Sequence, residues 1–345
     1  MKKIIIIIIF ISISFLIYYN FLSKSINNTP KIILNGENTI TIKENQKYKE
    51  LGFKAYDNKT DLTKKVKIKG KVLNKKGTYK LIYSVKNSKG IKAETNRIIK
   101  VIENNFNYKK EYDKIDNSLR GWWSDNKKDK SRPKGGANID ELKKYNAFFL
   151  GENKKVLYLT FDEGSNETYV KEIANILNKN NIKATFFLCR KYIEDNAELI
   201  KNMDSKGHTI ANHTTNHLAM PKLANKQSFK KYLKEITDIE DTYNKITGKQ
   251  MEKIYRPPRG EWSFRHLQIM KDLGYKTYFY SADYLDFADN VTKEKALNEL
   301  TKRVHNGAIY LLHPKNKGNY LALDTFINNM KKQGYTFDLV KNISK

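Results

Sequence analysis

From Lys154 onward the sequence alternates between short apolar stretches and amphipathic stretches of helical length, and this alternation constrains the fold more than any other feature. Regular alternation with short connections predicts a parallel β-sheet, and the number of units favours a (β/α) barrel of the α/β class over an open sheet. The predicted strands are 156–161, 184–188, 208–212, 276–281, 308–312 and 335–339, and the predicted helices are 168–179, 195–206, 228–246, 263–273, 293–305 and 321–333.

The first predicted strand ends in two adjacent carboxylates. The stretch Val156–Gly164 is an apolar run that closes on Asp162, Glu163 and a glycine, which allows the backbone to turn. In (β/α) barrels the chemistry lies on the loops that follow the strands, so this position favours a functional role for the two acids. The alternative is that Asp162 or Glu163 only caps the next helix.

Ionisable residues also follow three other predicted strands, and Arg256 follows Tyr255 in the connection before the predicted helix 263–273. Each would reach the same rim of the barrel, because the carboxyl ends of parallel strands meet there. Scattered surface charges would not fall so regularly, and the convergence therefore predicts an active site. The residues are Asp162 and Glu163, His213 and His217, Arg256, Asp283 and His313.

The two histidines after the third strand are candidate metal ligands. His213 and His217 are four residues apart, and imidazoles together with a carboxylate such as Glu163 suit Zn²⁺ and other divalent transition metals. A His-x-x-x-His pair alone is more often not a ligand pair. Because the acidic strand end shares the rim, we expect a divalent metal, with Zn²⁺ as the first choice.

The remaining rim residues form a candidate pair for proton transfer. Asp162 can act as a general base toward water, and His313 can protonate a leaving amine near neutral pH. Arg256 either holds Asp162 ionised or forms a rim salt bridge, and Asp283 is expected to hold the other ring nitrogen of His313. This set indicates metal-assisted hydrolysis of an amide, ester or similar acyl bond. A two-His-one-carboxylate iron oxygenase is disfavoured by the proton-transfer pair and by the lack of an evident cosubstrate site.

Five ordered segments resemble the motifs of the polysaccharide deacetylase family, also called carbohydrate esterase family 4 or the NodB-homology domain. The likeness spans about residues 150–342 and implies a distorted (β/α) barrel that removes N-acetyl groups from amino sugars with a bound metal. The segments are Thr160–Gly164 (TFDEG), His213–His217 (HTTNH), Arg256–Gly260 (RPPRG), Ser281–Phe287 (SADYLDF) and Leu311–His313 (LLH).

The resemblance implies a role for each matching residue. Asp162 would be the base, oriented by Arg256, and His313 would be the acid, supported by Asp283. The metal ligands would be Glu163, His213 and His217. Substrate contacts would come from Pro258, Arg259, Gly260, Tyr284, Phe287 and Leu311.

Two positions depart from the family pattern. Family members usually carry a second aspartate where this chain has Glu163, whose longer side chain is expected to shift or weaken metal binding. The usual tryptophan after Asp286 is Phe287, which keeps an apolar wall but lacks the indole N–H. Neither change removes the proposed chemistry.

Within the family the chain is most similar to the peptidoglycan N-acetylmuramic acid deacetylases of spore formers, which help to make the muramic δ-lactam of the spore cortex. The likeness includes Gly121-Trp122, Tyr145–Gly151, Gly307–His313 and Lys332–Phe337. It implies peptidoglycan as the substrate and N-acetylmuramic acid as the sugar. The alternatives are a deacetylase for N-acetylglucosamine in peptidoglycan or another glycan, and an inactive wall-binding protein that uses the cleft as a lectin.

The first residues predict a location outside the cytoplasm. Lys2 and Lys3 precede the apolar run Ile4–Tyr19, which continues to Leu22 with one interruption. A run of about 20 residues can cross a bilayer, and the preceding positive charge favours a cytoplasmic N-terminus. No small-residue cleavage site follows. We predict an uncleaved signal anchor in the cell membrane, with a cleaved signal peptide and a secreted protein as the alternative.

Short strands separated by turns precede the α/β region and predict a small all-β sandwich that resembles bacterial Ig-like domains. This domain is either a spacer or a wall-binding module. In the bridge that follows, Gly121-Trp122-Trp123 either stacks on a sugar or packs against the next domain. The predicted domains are 1–23 (anchor), 24–30 (spacer), 31–103 (Ig-like), 104–150 (bridge, part of the catalytic unit) and 151–345 (catalytic).

The chain is strongly basic, with 65 Lys and Arg against 37 Asp and Glu and a formal net charge of +28. Such a charge suits a polyanionic partner. Lysines occur in every segment, however, without a basic helix or a basic stripe with interleaved aromatic residues, so we expect no nucleic-acid partner. The single Cys189 forms no internal disulfide. We expect a monomer whose partners are peptidoglycan strands and, through the N-terminal segment, the membrane.

Overall fold

The structure, a computed structural model, describes residues 29–43, 48–73, 75–102, 106–127, 129–163, 168–288 and 290–343. The chain divides into two compact units, Met1–Asn105 and Phe106–Lys345. The predicted signal anchor at 1–23 and all but the last two residues of the predicted spacer lie outside the described residues. Within the described ranges, no helix is both long and apolar enough to cross a bilayer.

The first unit is a β-sandwich of two small sheets, as predicted. One sheet contains β1 (Lys31–Leu34), β3 (Phe53–Asp57) and β4 (Thr60–Asp61), which pair antiparallel. The other sheet has the order β2 (Thr39–Lys43), β7 (Lys92–Ile102), β6 (Gly77–Lys86) and β5 (Lys67–Lys69). In this second sheet β2 and β7 run parallel, and the other neighbours run antiparallel. In β6 every second side chain from Leu81 to Val85 is buried, which is the alternation expected of a strand with one face on the core.

A buried arginine links the two sheets of this unit. Arg97 is 0% exposed, and its Nη1 lies 2.6 Å from Glu50 Oε1. Nη2 donates to the carbonyl oxygen of Asn35 at 2.5 Å, and the Tyr83 hydroxyl donates to Glu50. Burial, together with the hydrogen bond to Glu50, raises the pKa of Tyr83. A charge taken out of water needs such partners, because an unpaired buried charge is strongly destabilising.

The second unit is built on a parallel sheet that curls into a half-barrel. The strand order is β16 (Ile309–Leu312), β10 (Val156–Glu163), β11 (Thr185–Leu188), β12 (Thr209–Asn212), β13 (Ile254–Tyr255), β15 (Lys276–Tyr278) and β9 (Ala147–Phe148), and β17 (Thr336–Phe337) pairs with the start of β10. All of these strand pairs are parallel. The predicted first strand is therefore an inner strand of the sheet, which explains its nearly unbroken burial.

The edges of this sheet meet without a continuous ladder in the part of the chain that the structure describes. Isolated bridges join Leu150 to Ala308 and Ala282 to Tyr310. The predicted α/β class and parallel strands are confirmed, and the barrel is a half-barrel with incomplete closure. The strands β13 and β9, which the sequence did not predict, have two residues each and are too short to produce a recognisable hydrophobic period.

Helices follow most of these strands and bury one apolar face each in the core. They are α1 (Ile139–Lys144), α2 (Val170–Lys179), α3 (Arg190–Asp195), α4 (Ala197–Ser205), α5 (Met220–Leu223), α6 (Phe229–Thr247), α7 (Phe264–Asp272), α8 (Lys293–Lys302) and α9 (Lys317–Lys332). Leu177 of α2 and Phe326 of α9 lie in one fully buried cluster with Leu159 of β10. Burying such a side chain stabilises the fold by about 1.5–3 kcal/mol, so these helices fix the position of β10 and of the acids at its end.

The segment before β10 packs into the second unit. The short strands β8 (Arg120–Gly121) and β14 (Glu261–Trp262) pair antiparallel. The Trp122 ring stacks on Phe279 with centroids 4.1 Å apart and is 7% exposed. Trp123 is 54% exposed. The sequence left open whether these tryptophans pack against the domain or stack on a sugar. Trp122 packs against the domain, and Trp123 stays accessible to solvent.

Candidate active site

Asp162 and Arg256 form a buried ion pair at the carboxyl edge of the sheet. Asp162 lies near the end of β10, and Arg256 directly follows β13. Arg256 Nη1 lies 2.7 Å from Asp162 Oδ1 and donates to Thr160 Oγ1 at 2.7 Å. Nε and Nη2 donate to the carbonyl oxygens of Tyr278 and Phe279 at 3.0 and 3.1 Å. The guanidinium therefore fixes one oxygen of Asp162 in place.

His213 faces the second oxygen of Asp162. Its Nδ1 lies 2.8 Å from the Arg256 carbonyl oxygen, so Nδ1 carries the proton and the lone pair is on Nε2. Nε2 lies 3.8 Å from Asp162 Oδ2, which is too far for a hydrogen bond. Burial lowers the pKa of His213 to about 4, so the ring is neutral near pH 7.

His217 lies beside His213, with 5.0 Å between the ring centroids. Burial lowers the pKa of His217, and the charges that act on it include those of Asp162, Arg259 and His313. Asp162 and His313 follow the paired residues Phe161 and Leu312 of the adjacent strands β10 and β16, so the candidate base and the candidate acid leave the same edge of the sheet.

The loop between the two histidines is held by a buried carboxylate of α6. Glu235 is 3% exposed, and its two carboxylate oxygens accept hydrogen bonds from the backbone N–H and the side-chain amide of Asn216, at 2.8 and 2.7 Å. The Thr215 N–H donates to the Glu235 carbonyl at 2.9 Å. Thr214 and His217 have φ values of 71° and 56°, which are uncommon for residues with a side chain. Glu235 was not predicted, because its position within a helical pattern gives no motif.

The donors for a divalent cation are partly assembled. His213 Nε2, which carries the lone pair, lies 3.8 Å from Asp162 Oδ2, and a neutral imidazole nitrogen beside a carboxylate is chemistry that suits a divalent cation. Among the described residues, however, no three His, Cys, Asp or Glu side chains lie together as a metal site. Glu163 and Asp162 are successive residues in the regular pairing of β10 with β11, and such side chains leave opposite faces of a sheet. The two carboxylates are therefore separated, and the ligand role of Glu163 stays a prediction.

The carboxylate that holds the ring of His313 is Asp286. His313 follows β16, and its Nδ1 lies 2.7 Å from Asp286 Oδ1. The His313 backbone N–H donates to the second oxygen of the same carboxylate, which is fully buried. The prediction that Asp283 holds this ring nitrogen is therefore wrong.

Asp283 contacts the bridge instead. Asn126 Nδ2 donates to Asp283 Oδ1 at 3.0 Å, and the Asp283 N–H lies 3.4 Å from Asn126 Oδ1. Burial raises the pKa of Asp283. Asp283 and Asp286 both lie in the loop after β15. The conformation of this loop decides which aspartate faces His313, and the sequence does not show that conformation.

Side chains at the start of α9 complete the support of His313. Asn319 Nδ2 donates to the Asp286 carbonyl at 3.0 Å and lies 3.2 Å from the His313 carbonyl. Asn316 Nδ2 donates to the Asp286 carbonyl at 2.7 Å. The Tyr284 hydroxyl, predicted to contact substrate, donates to Asn319 Oδ1 at 2.7 Å. The asparagines were missed because amides at a helix start are also typical of simple caps.

Phe287 is the predicted substrate residue with the clearest placement. It is 46% exposed, and its ring meets that of His313 edge-on with centroids 5.4 Å apart. This position suits the apolar wall that the sequence predicts beside the acid. Of the other predicted substrate residues, Pro258 is buried, Arg259 is exposed with φ 56°, Gly260 has φ 64° and Leu311 is half-buried in β16, and their contacts with substrate stay predictions.

Both units match known families and proteins. The family model described as polysaccharide deacetylase matches residues 150–278, and the bacterial surface protein Ig-like domain matches residues 32–101. The chain is 39% identical over 215 residues to the peptidoglycan-N-acetylmuramic acid deacetylase PdaA of Bacillus subtilis, covering 61% of this chain and 80% of that protein. It is 30% identical to a peptidoglycan-N-acetylglucosamine deacetylase of Bacillus cereus, covering 58% of this chain and 92% of that protein.

Solved structures agree with this assignment. The structure of Bacillus subtilis PdaA, a family 4 carbohydrate esterase, aligns with a TM-score of 0.62 and 35% identity over 66% of this chain and 98% of that chain. A family 4 pseudoenzyme from Bacillus anthracis aligns with a TM-score of 0.52 and 25% identity over 57% of this chain and 68% of that chain. This chain, which carries an Ig-like domain in its first unit, belongs to the polysaccharide deacetylase family, carbohydrate esterase family 4, whose enzymes are hydrolases that act on C–N bonds.

Proposed function

We propose that this protein removes the N-acetyl group of N-acetylmuramic acid in peptidoglycan in a metal-dependent reaction. Peptidoglycan deacetylation is supported by the similarity to the Bacillus subtilis enzyme. The observation that carries the proposal is the presence of two proton-handling pairs, Asp162 with Arg256 and His313 with Asp286, at the ends of the adjacent strands β10 and β16. A wall-binding protein or pseudoenzyme has no need for both a base and an acid, so the two pairs favour catalysis.

The reaction begins with Asp162 as the general base. Arg256 holds Oδ1, and Oδ2 takes a proton from the water that attacks the acetyl carbonyl carbon. The attack produces a tetrahedral intermediate with a negatively charged oxygen. The carbon–nitrogen bond then breaks while His313 Nε2 gives its proton to the leaving nitrogen, which yields acetate and a free amine. Asp286 accepts a hydrogen bond from Nδ1–H and so keeps Nε2 directed at the substrate.

The proposed metal would be held by His213 and His217, with Glu163 as the predicted third ligand and Zn²⁺ as the first choice. A divalent ion there would act as a Lewis acid on the acetyl carbonyl. His213 suits this role because its ring is neutral and its Nε2 lone pair faces the site. Family 4 deacetylases are generally metal-dependent.

We place this reaction outside the cytoplasm, with the signal anchor predicted at 1–23 in the cell membrane and the chain acting as a monomer. The muramic δ-lactam pathway of the spore cortex is the process that we propose for it. This assignment follows from the resemblance to the deacetylases of spore formers, and peptidoglycan itself is found outside the membrane.

The second candidate is deacetylation of N-acetylglucosamine in peptidoglycan. The similarity to the Bacillus cereus N-acetylglucosamine deacetylase, of which 92% is covered, favours it. Both sugars carry the same acetamido group, so the two candidates share the mechanism and differ only in which sugar the site admits.

The test is acetate release by the full chain from intact and stem-stripped peptidoglycan, with and without a chelator. Mass spectrometry of the fragments then locates the lost acetyl group. Chelator-sensitive loss from muramic acid supports the proposal. Loss from glucosamine replaces it by the second candidate, and no acetate from any glycan in the presence of divalent metals overturns the assignment as an enzyme.

Two variants test the assigned roles in the same assay. His313→Ala should retain metal and lose turnover, and normal turnover would remove His313 as the acid. His217→Ala should bind Zn²⁺ at least about tenfold more weakly by titration calorimetry, because loss of a residue that only orients a ligand already weakens metal binding by about 10–100-fold. Unchanged Zn²⁺ binding would refute the ligand assignment.

A further inference from the structure

The positive charge of the chain is concentrated in the first unit. Residues 29–102 carry 19 Lys and Arg against six Asp and Glu, whereas residues 106–343 carry 42 against 30. A general preference for lysine would raise the number of basic residues in both units without removing the acidic residues of one. The excess therefore calls for a local explanation.

One face of the four-stranded sheet in this unit carries six exposed lysines, and we name it the basic face. Side chains directly opposite each other in paired strands lie on the same face, so the register defines its members. Lys67 is opposite Ser84, Lys69 opposite Ile82, Lys80 opposite Ile98, Lys100 opposite Thr78, and Lys86 opposite Lys92. The side chains between these positions, such as Leu81, Tyr83 and Ile99, point into the core.

The charge of this face has little internal compensation. Among the described residues, the one acidic side chain on it is Glu94, whose Oε1 lies 2.6 Å from Lys92 Nζ. Lys67, Lys69, Lys80, Lys86 and Lys100 have no ion-pair partner in the described part of the chain. Lys86 directly opposes Lys92 in the antiparallel register, an arrangement that destabilises a sheet.

Protection of the sheet edge explains part of this pattern. Lysines on an edge strand discourage pairing with other chains, which accounts for Lys67 and Lys69 on β5. It does not account for Lys80 and Lys86 on β6 or Lys100 on β7, because these two strands are the inner strands of the sheet. Neighbouring strands lie about 4.8 Å apart, within the Debye length of about 8 Å at physiological salt, so the potentials of these lysines add.

We propose that the basic face binds a linear phosphodiester polymer of the cell wall. Charge complementarity selects a polyanion, and the choice of a wall polymer rests on the proposed function, whose substrate lies in the same compartment. A membrane surface fits less well, because proteins that lie on membranes combine basic residues with large apolar side chains. The basic face has no aromatic side chain, and Ile102 at its margin is its one exposed apolar residue in the described structure.

The experiment compares two full-chain variants of equal net charge. The first replaces Lys67, Lys69, Lys80, Lys86 and Lys100 by Gln. The matched control also replaces five lysines by Gln, chosen because they are exposed in or near the three-stranded sheet. They are Lys31, Lys54, Lys59, Lys64 and Lys65. The probe is a fluorescently labelled glycerol-phosphate polymer, and binding is followed by fluorescence anisotropy over a series of salt concentrations. Far-UV circular dichroism checks that both variants fold.

The wild type should bind the polymer with a strongly salt-dependent affinity. The first variant should bind at least about tenfold more weakly, with a slope of log K against log salt that is shallower by about 3.5, as expected when five phosphate contacts on a single-stranded polyanion are lost at about 0.7 each. The control should stay within about twofold of the wild type. Lys80→Gln with Lys100→Gln should give an intermediate loss and keeps the test valid if the fivefold variant does not fold.

Three results would overturn the proposal. Equal losses of affinity in the two variants with five substitutions would show that the polymer is attracted by net charge alone. Unchanged binding in the first variant would show that the basic face is not the binding site. Tighter binding of the wild type to phosphatidylglycerol vesicles than to the polymer, at equal phosphate, would assign the face to the membrane. Because binding is measured without turnover, failure of this proposal and failure of the deacetylase proposal are distinguishable.

Discussion

At the residue scale, Asp286 and Asp283 lie three positions apart in one loop and face different partners. Asp286 is fully buried, accepts from the backbone N–H of His313 and holds its Nδ1 at 2.7 Å. Asp283 is held by Asn126 on the bridge. The orientation of His313 therefore depends on Asp286, whereas Asp283 holds the loop against the bridge.

This difference predicts opposite outcomes for two matched substitutions. Asp286→Asn should lower kcat by about 10²–10⁴-fold, the usual contribution of general acid–base catalysis, because the neutral amide removes the negative charge beside the His313 ring and has one acceptor oxygen for the two N–H groups that the carboxylate accepts. KM should change little. Asp283→Asn, which keeps a hydrogen-bonding side chain toward Asn126, should leave kcat within about threefold. The measurement is steady-state acetate release, and equal losses of kcat in the two variants would contradict the assignment.

At the element scale, Glu235 joins helix α6 to the loop between His213 and His217, which we name the histidine loop. Glu235→Ala removes the acceptor of the N–H and of the side-chain amide of Asn216, at a cost of about 0.5–1.5 kcal/mol for each hydrogen bond, because Asn216 is exposed and its groups can turn to water. We expect kcat/KM to fall about 10–100-fold and Zn²⁺ binding to weaken, because residues that support a ligand orient it, and His213 and His217 are the proposed ligands. The assay combines acetate release with titration calorimetry.

The control for Glu235 is Asn216→Ala, which retains the backbone hydrogen bond and removes the amide contact. It should cause a smaller loss in both measurements than Glu235→Ala. A Glu235→Ala protein with wild-type Zn²⁺ affinity and wild-type kcat/KM would show that the loop holds its shape without the carboxylate.

The first unit offers a prediction about its buried charge. Arg97→Met leaves Glu50 without its ionic partner, and because 27% of the Glu50 side chain is exposed, we expect a loss of about 3 kcal/mol, the lower end of the range for breaking a buried pair. All three tryptophans lie in the second unit, so in urea unfolding of the full chain tryptophan fluorescence follows that unit and circular dichroism follows both. We expect the dichroism to show an earlier transition while the fluorescence transition stays in place.

The matched control is Lys92→Met, which breaks the exposed pair with Glu94. Exposed pairs contribute about 0–1 kcal/mol, so this variant should unfold almost as the wild type does. If both substitutions lowered the stability of the first unit equally, the buried ion pair of Arg97 would contribute no more than an exposed one.

At the scale of the whole molecule, buried histidines predict how stability depends on pH. Burial lowers the pKa of His208, His213 and His305 to about 4 and that of His266 to about 3. As the pH falls below about 6.5 these residues take up protons in the unfolded chain before they do so in the folded one. The free energy of unfolding should therefore be highest above about pH 6.5 and decrease from there toward pH 4.

The size of this decrease is about 1.4 kcal/mol per pH unit for each such histidine. It is measured by urea unfolding at several pH values between 7 and 5. His266→Gln, which removes the ring buried beside Tyr232, should reduce the slope by the contribution of one histidine. A free energy of unfolding that is constant between pH 7 and 5 would disprove the neutral burial of these residues.

Properties that depend on local periodicity could be predicted from the sequence. The alternation of strand and helix identified the parallel α/β sheet, and the apolar run before Asp162 identified β10, because burial on both faces requires such a run. The same logic placed the ionisable residues at strand ends. The two-residue alternation of apolar and polar side chains in Tyr79–Val85 likewise indicated a strand of the sandwich in the first unit.

Only the tertiary structure decided which of these residues meet. The turn of the loop after β15 brings Asp286 and not Asp283 to His313, the stacking of Trp122 on Phe279 leaves Trp123 exposed, and Glu235 reaches the histidine loop from a distant helix. Each contact joins segments far apart in the sequence, and its geometry follows from how loops fold back over a packed core. Periodicity reports which face of one element is buried, and it carries no information about the rotation of a loop relative to another segment.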